Sequence, residues 1–325
     1  MGLVSALVAV TALVATAAAG DLLMTSATDV RLREEPSTDA RVVATLPIGT
    51  ELSEESMYKP PDGWRRVQTR GLQAGWILER FAVPFDPSRR AAIVESIVVP
   101  RLPQTQAARD PDLGTFFTRT QVVALLERTL LLESDREWQA RLAWYYVRGL
   151  DSAIGVTSPH RWMGPEERSW LAARAAVVRY NEPGGWRVQY EFLRQTHDRY
   201  RGTAAAEDIA WFFVENGVGG ECEGDVPCYI ARTNLILGEY LRWHPAGGHA
   251  AVAAARVARA LDNLLHFPRA LAEFTPATRC AELHASLDPL RAAVAAATAP
   301  DKLDALEAIG RLEALCATAK SVGPR

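Results

Sequence analysis

The sequence lacks the commonest signatures of an enzyme. It contains no Gly-x-Ser-x-Gly elbow, no His-Glu-x-x-His helix and no phosphate-cradling glycine loop, which removes the standard serine-hydrolase, zinc-protease and nucleotide-binding motifs. It has four cysteines, and neither Cys222 with Cys228 nor Cys280 with Cys316 has the ligand spacing and histidine partner of a zinc site. A basic surplus is also missing. The formal net charge is -3 and the pI about 6.1, so no positive field favours nucleic acid. After the first 19 residues no apolar run is long enough to cross a bilayer. The tryptophans share no period, which excludes a strict repeat array.

What is present describes an ordinary globular protein of more than one domain. A length of 325 residues exceeds one typical core, and 48% hydrophobic with 23% charged residues is a usual balance. Residues 1–19 read as a signal peptide. Leu3 to Ala15 is an uninterrupted run of Leu, Val, Ala, Ser and Thr, and Ala17-Ala18-Ala19 offers a small-x-small cleavage site. No Lys or Arg precedes the run. The competing reading is an uncleaved anchor, but the run is Ala-rich and short of the roughly 20 residues a span requires. Cleavage after Ala19 and export to the periplasm or medium are the expectation. No Cys near the site points to a lipoprotein.

Export permits disulfides. Cys222 and Cys228 enclose Glu-Gly-Asp-Val-Pro, a loop two thiols can close. Thr275-Pro276 starts a helix bearing Leu283, Leu287, Leu290 and Val294, and Ala299-Pro300-Asp301 breaks it before a second helix with Leu303, Leu306 and Ile309. Cys280 and Cys316 then face each other at the open end of an antiparallel hairpin. The alternative is four free buried thiols.

From Met24 to Phe81 the pattern is that of short strands. Val30, Leu32, Val42-Val43, Leu46, Ile48 and Leu52 alternate between turn signals at Glu34-Glu35-Pro36-Ser37 and Pro47-Ile48-Gly49. Trp64, Val67 and Gly75-Trp76-Ile77-Leu78 add two more. Four or five strands without room for a helix suggest a small closed barrel over residues 20–85.

The ordered motifs Asp29-Val30-Arg31-Leu32-Arg33…Pro36-Ser37, Leu46-Pro47-Ile48-Gly49, Gly63-Trp64-Arg65-Arg66-Val67 and Gly75-Trp76-Ile77 resemble the bacterial SH3 (SH3b) family. Two departures are Asp29, where Asn is commoner, and a longer Met57–Asp62 segment with Pro60-Pro61. The resemblance covers less than a fifth of the chain. It implies an SH3-like barrel that binds peptidoglycan or a partner protein of the cell envelope, often beside peptidoglycan hydrolases. Trp64 and Trp76 are either barrel packing or ligand platforms, and Tyr58 beside the prolines is a candidate ligand-facing aromatic.

Residues 86–325, after the boundary Asp86-Pro87-Ser88, read as about nine or ten helices in an irregular solenoid or orthogonal bundle. A capping box is expected at Thr118–Gln121. Val177 and Val178 follow Gly164-Pro165 at helical spacing, and Trp186, Tyr190, Leu193 and Tyr200 form a second helical stripe. Val252, Leu261, Leu264 and Leu265 are expected inward on an Ala-rich helix. Tyr240–Pro245, followed by a small-residue helix, weakly resembles the edge of a tetratricopeptide repeat.

Candidate chemistry is sparse. Glu221, Glu223 and Asp225 concentrate carboxylates in the Cys222–Cys228 loop, either for a cation or with Asp225 capping the helix opened by Val226-Pro227. His197 is expected as a packing residue. His244 and His249 flank a turn, as loop surface or as a metal pair. A glycosidase requires two opposed carboxylates, and Glu166, Glu207 and Glu221 cannot be ranked by position. The expected protein is a non-catalytic envelope-binding scaffold without cofactor or metal. Its rival is a peptidoglycan hydrolase with an unrecognised helical catalytic domain.

Overall fold

The computed structural model describes residues 21–55, 61–102, 115–157, 163–181, 185–217, 222, 225–266 and 277–319. The leader, Tyr58, Glu221, Glu223 and Thr275-Pro276 fall outside them, as does the side chain of Cys316. The chain forms two compact units, divided after Pro100. The layout is β followed by α.

In the first unit, the alternating sequence gives β1 (Leu22–Thr25), β2 (Val30–Arg33), β3 (Val42–Leu46), β4 (Glu51–Glu54), β5 (Trp64–Thr69), β6 (Ala74–Leu78) and β7 (Ala82–Pro84). They form one antiparallel seven-stranded sheet in the order β3-β2-β6-β5-β4-β1-β7. Among the described residues no pairing joins β3 to β7, so closure of the sheet is not part of the observed topology. The period-two positions Leu23, Val30, Leu32, Leu46, Leu52, Val67 and Ile77 meet in one buried cluster. Burying each contributes about 1.5–3 kcal/mol.

Gly75 explains why β6 can approach β2. A Cβ there would lie 2.7 Å from the Arg33 carbonyl oxygen and 2.8 Å from Leu32 Cγ. Buried Thr25 is also satisfied: its hydroxyl donates to Pro47 O at 2.8 Å and accepts from Thr50 N at 2.8 Å. The expected boundary at Asp86 and the division at Pro100 bracket α1 (Arg90–Val98). Arg90 pairs with Glu51 and lies over the Phe85 ring, tying this helix to the strands.

The second unit is helical with one exception. Its helices are α2 (Phe116–Leu132), α3 (Arg136–Ile154), α4 (Pro165–Ala172), α5 (Tyr190–Arg199), α6 (Ala204–Asn216), α7 (Val226–Thr233), α8 (Glu239–Trp243), α9 (Ala250–Leu265), α10 (Ala277–Ala296) and α11 (Lys302–Ala319). Asp135 caps α3 by accepting from Trp138 N, and Thr203 caps α6 by accepting from Ala206 N. A π turn, Asn234–Gly238, joins α7 to α8. The α10–α11 hairpin breaks at residues 297–301 as expected and packs Leu283, Leu287, Leu290, Val294, Ile309 and Leu312 with α9.

Several expectations are corrected. Val178 and Trp186 are not helical. They belong to a β-hairpin, β8 (Val178–Asn181) and β9 (Gly185–Val188), with Val178 opposite Val188 and Tyr180 opposite Trp186. Gly185, at φ +76°, supplies the left-handed backbone for reversal. Helix α2 begins at Phe116, ahead of the expected capping box, with Thr115 in extended backbone at its N-cap. Val252 is exposed and Leu303 more so, while Ala253, Ala254 and Val257 supply the buried face of α9.

Candidate functional site

A cleft of about 280 Å³ opens in the first unit. Its lining comes from three directions. Asp29 precedes β2 in a left-handed conformation, φ +54°, a geometry that Asp and Asn tolerate better than other side chains. Arg31 and Arg33 come from β2, and Thr38 from the loop after it. A register shift between Leu32 and Arg33 lets both residues bury. Arg33 Nη1 then donates to Ala40 O at 2.6 Å, fixing the loop that carries Thr38. Trp64 opens β5 directly opposite Leu78 at the end of β6, and Phe81 closes the short turn Glu79–Phe81. Trp64 and Phe81 are half-buried, and the Arg80 guanidinium lies 4.8 Å from the Phe81 ring centroid.

Most arginines of this unit are ion-paired. Arg41, Arg65, Arg66, Arg70 and Arg90 each pair with a glutamate. The Arg65 pairs with Glu79 and Glu54 hold its guanidinium firmly protonated. Arg31 is exposed and has no ion pair among the described residues. The cleft thus combines two guanidinium groups, one carboxylate, a hydroxyl and an apolar wall. That composition can hold a small anionic group attached to an apolar body.

The other anticipated residues are distributed elsewhere. Trp76 does not line the cleft. It is half-buried, with the Arg66 guanidinium 5.6 Å from its ring centroid and Arg66 Nε donating to Glu55 at 3.0 Å. Cys222 and Cys228 are disulfide-bonded with Cα atoms 5.5 Å apart. Asp225 Oδ2 accepts from Cys228 N at 3.3 Å and caps α7. Cys280 is buried and disulfide-bonded.

The second unit brings together a polar cluster that its sequence spacing does not reveal. His197 is buried on α5. Its Nδ1 lies 3.2 Å from Asp198 Oδ1, its Nε2 lies 3.1 Å from His244 Nε2, and its ring stacks on Trp243 with centroids 4.2 Å apart. Burial depresses both imidazole pKa values, and nearby Arg201 adds to this. His244 and His249 turn to different partners. His249 lies flat on Trp211, 4.2 Å between centroids and 5° from parallel. Glu207 Oε1 accepts from Tyr240 Oη at 2.9 Å and Gly248 N at 2.6 Å, which accounts for that carboxylate structurally. Glu166 is exposed in the first turn of α4. Among the described residues no three His, Cys, Asp or Glu side chains form a metal site. Asp151 on α3 is pushed up to about 6 by burial, partly opposed by Arg187.

Compared with known proteins, the chain shows no match to a family model, to a curated protein or to a solved structure.

Proposed function

We propose that this is a non-catalytic binding protein of the bacterial cell envelope. In this reading its N-terminal unit is an SH3b-like barrel that contacts peptidoglycan, and its helical unit is an interaction scaffold. The observation that carries the reading is the cleft lined by Arg31, Arg33, Trp64 and Phe81. It occurs in the segment whose motifs resemble the SH3b family, and its lining of guanidinium groups beside an apolar wall provides recognition chemistry. The disulfide Cys222–Cys228 suits an oxidising compartment.

The test is co-sedimentation of the full chain with insoluble peptidoglycan, together with a zymogram on the same substrate. The expected result is a pelleted protein and no clearing. Clearing would assign a hydrolase instead. Protein left wholly in the supernatant would remove peptidoglycan as the ligand and leave a protein partner.

A further inference from the structure

Arg31 lines the cleft and has no ion pair among the described residues. Five other arginines of the unit are matched to glutamates, and Arg80 and Arg89, which like Arg31 have no ion pair among the described residues, do not line the cleft. Arg31 projects from the exposed side of β2 into a cleft whose other cation, Arg33, is already fixed by the Ala40 carbonyl. A guanidinium offers a planar fork that matches a carboxylate with two parallel hydrogen bonds. A neutral sugar has no comparable demand for two such groups.

Charge and size narrow the ligand further. Two guanidinium groups against Asp29 leave one net positive charge on the lining. This suits a single carboxylate and disfavours a polyanion such as a phosphate polymer. At about 280 Å³ the cleft lies at the lower end of small-molecule sites, so it holds the end of a chain rather than several of its units. Trp64, Leu78 and Phe81 provide an apolar wall beside the charges, where a small terminal side chain would rest. Capture of a terminal carboxylate is a recurrent mode of peptide recognition.

We propose that the cleft captures the free C-terminal carboxylate of a cell-wall stem peptide. Arg31 grips the carboxylate, and the terminal side chain lies against Trp64 and Phe81. The proposal rests on the peptidoglycan reading above and adds which part of the polymer is recognised: a peptide end, not the glycan.

The test is fluorescence anisotropy of the full chain with fluorescein-labelled Lys-D-Ala-D-Ala, as the free acid, as the C-terminal amide, and as the all-L acid. The free D-acid should bind at least tenfold more tightly than its amide. Arg31→Gln should weaken the acid about tenfold and leave the amide unchanged, with wild-type thermal unfolding as the folding control. Arg31→Lys, which keeps the charge but loses the fork, should fall between. Equal binding of acid and amide, no binding of either, or indifference to Arg31→Gln would overturn the proposal. A preference for the all-L acid would replace the cell-wall peptide by a protein tail. Pelleting with peptidoglycan that is indifferent to Arg31→Gln and to free acid would sink this inference while leaving the peptidoglycan reading standing.

Discussion

His197 and His244 share a hydrogen bond between their Nε2 atoms, 3.1 Å apart, although 47 residues separate them in the chain. Such a bond needs one nitrogen to donate and the other to accept. The Asp198 carboxylate beside His197 Nδ1 draws the proton to that nitrogen, which leaves His197 Nε2 as acceptor and His244 Nε2–H as donor. The neutral pair therefore satisfies every facing nitrogen. The bond ties α5 to the end of α8.

This pair makes stability depend on acidity. The groups around it are Asp198, Arg194 and Arg201 from the α5 side, Glu207 from α6 and Tyr240 from α8. Both imidazoles titrate below the ordinary value of about 6.5, so the unfolded chain binds protons there that the folded chain refuses. Their contribution is complete above that pH and is lost as pH falls through it. Urea midpoints should decline from pH 7.5 to 5.5, and His244→Gln should flatten the decline. A His244→Gln profile that falls as steeply as the wild type would contradict a buried neutral pair.

Asp151 should act in the opposite direction. Its folded pKa of about 6 exceeds the unfolded value of about 3.9, so its neutral form is favoured by folding and its contribution disappears as pH rises through 6. Asp151→Asn should stabilise the protein at pH 7 by about 1–3 kcal/mol, with little effect near pH 4. Chemical denaturation at the two pH values measures the difference.

Glu127, Arg174 and Tyr146 join α2, the turn after α4 and α3. Arg174 Nε and Nη2 donate to the two Glu127 oxygens at 3.0 and 2.7 Å, Tyr146 Oη donates to Oε1 at 3.0 Å, and the guanidinium lies 4.3 Å from the Trp170 centroid. Arg174→Ala should cost about 2–4 kcal/mol, because it strands a partly buried carboxylate. Arg174→Lys should recover less than half, since an ammonium reproduces neither the fork nor the stacking. Thermal unfolding of the two variants decides.

Gly75→Ala should destabilise the sheet by about 1–3 kcal/mol through overpacking against Leu32 and the Arg33 carbonyl. Since Arg33 anchors the loop bearing Thr38, the same change should weaken any ligand of the cleft. Unchanged stability would mean that β2 and β6 can separate without cost.

The strands were legible because their burial is one-sided: Val30, Leu32, Leu46, Leu52, Val67 and Ile77 alternate in sequence and all reach the core. The break between α10 and α11 was legible for a similar reason, through Leu283, Leu287, Leu290 and Val294 at helical spacing. The β8–β9 hairpin is hidden in the sequence because Val177-Val178 and the Trp186–Tyr190 step also satisfy helical spacing. The better signal was Pro183-Gly184-Gly185 between Tyr180 and Trp186, two side chains that alternate with Val178 and Val188. Val252 is large and apolar yet exposed, because alanines fill the closely packed face of α9. In the cleft, Trp64 was anticipated. Arg31 is not legible in this way, since its place in the cleft lining is a property of the folded surface. The contact of His197 with His244 is likewise tertiary and leaves no local spacing to read.

The π turn at Asn234–Gly238 sets the rotational phase of everything that follows it in the same rod. An α-helix turns by about 100° per residue, and a wider turn accommodates an additional residue without advancing that rotation in the ordinary way. Here Asn234 Oδ1 accepts from Arg242 at 2.8 Å across the widened segment, and Gly238 leaves room for the Asn234 side chain. The azimuth of Trp243 and His244 toward α5 is thus decided upstream of them. Length changes within Asn234–Gly238 act on this junction as a twist, which ties the meeting of His197 with His244 to the residue count of the segment as firmly as to the two side chains themselves.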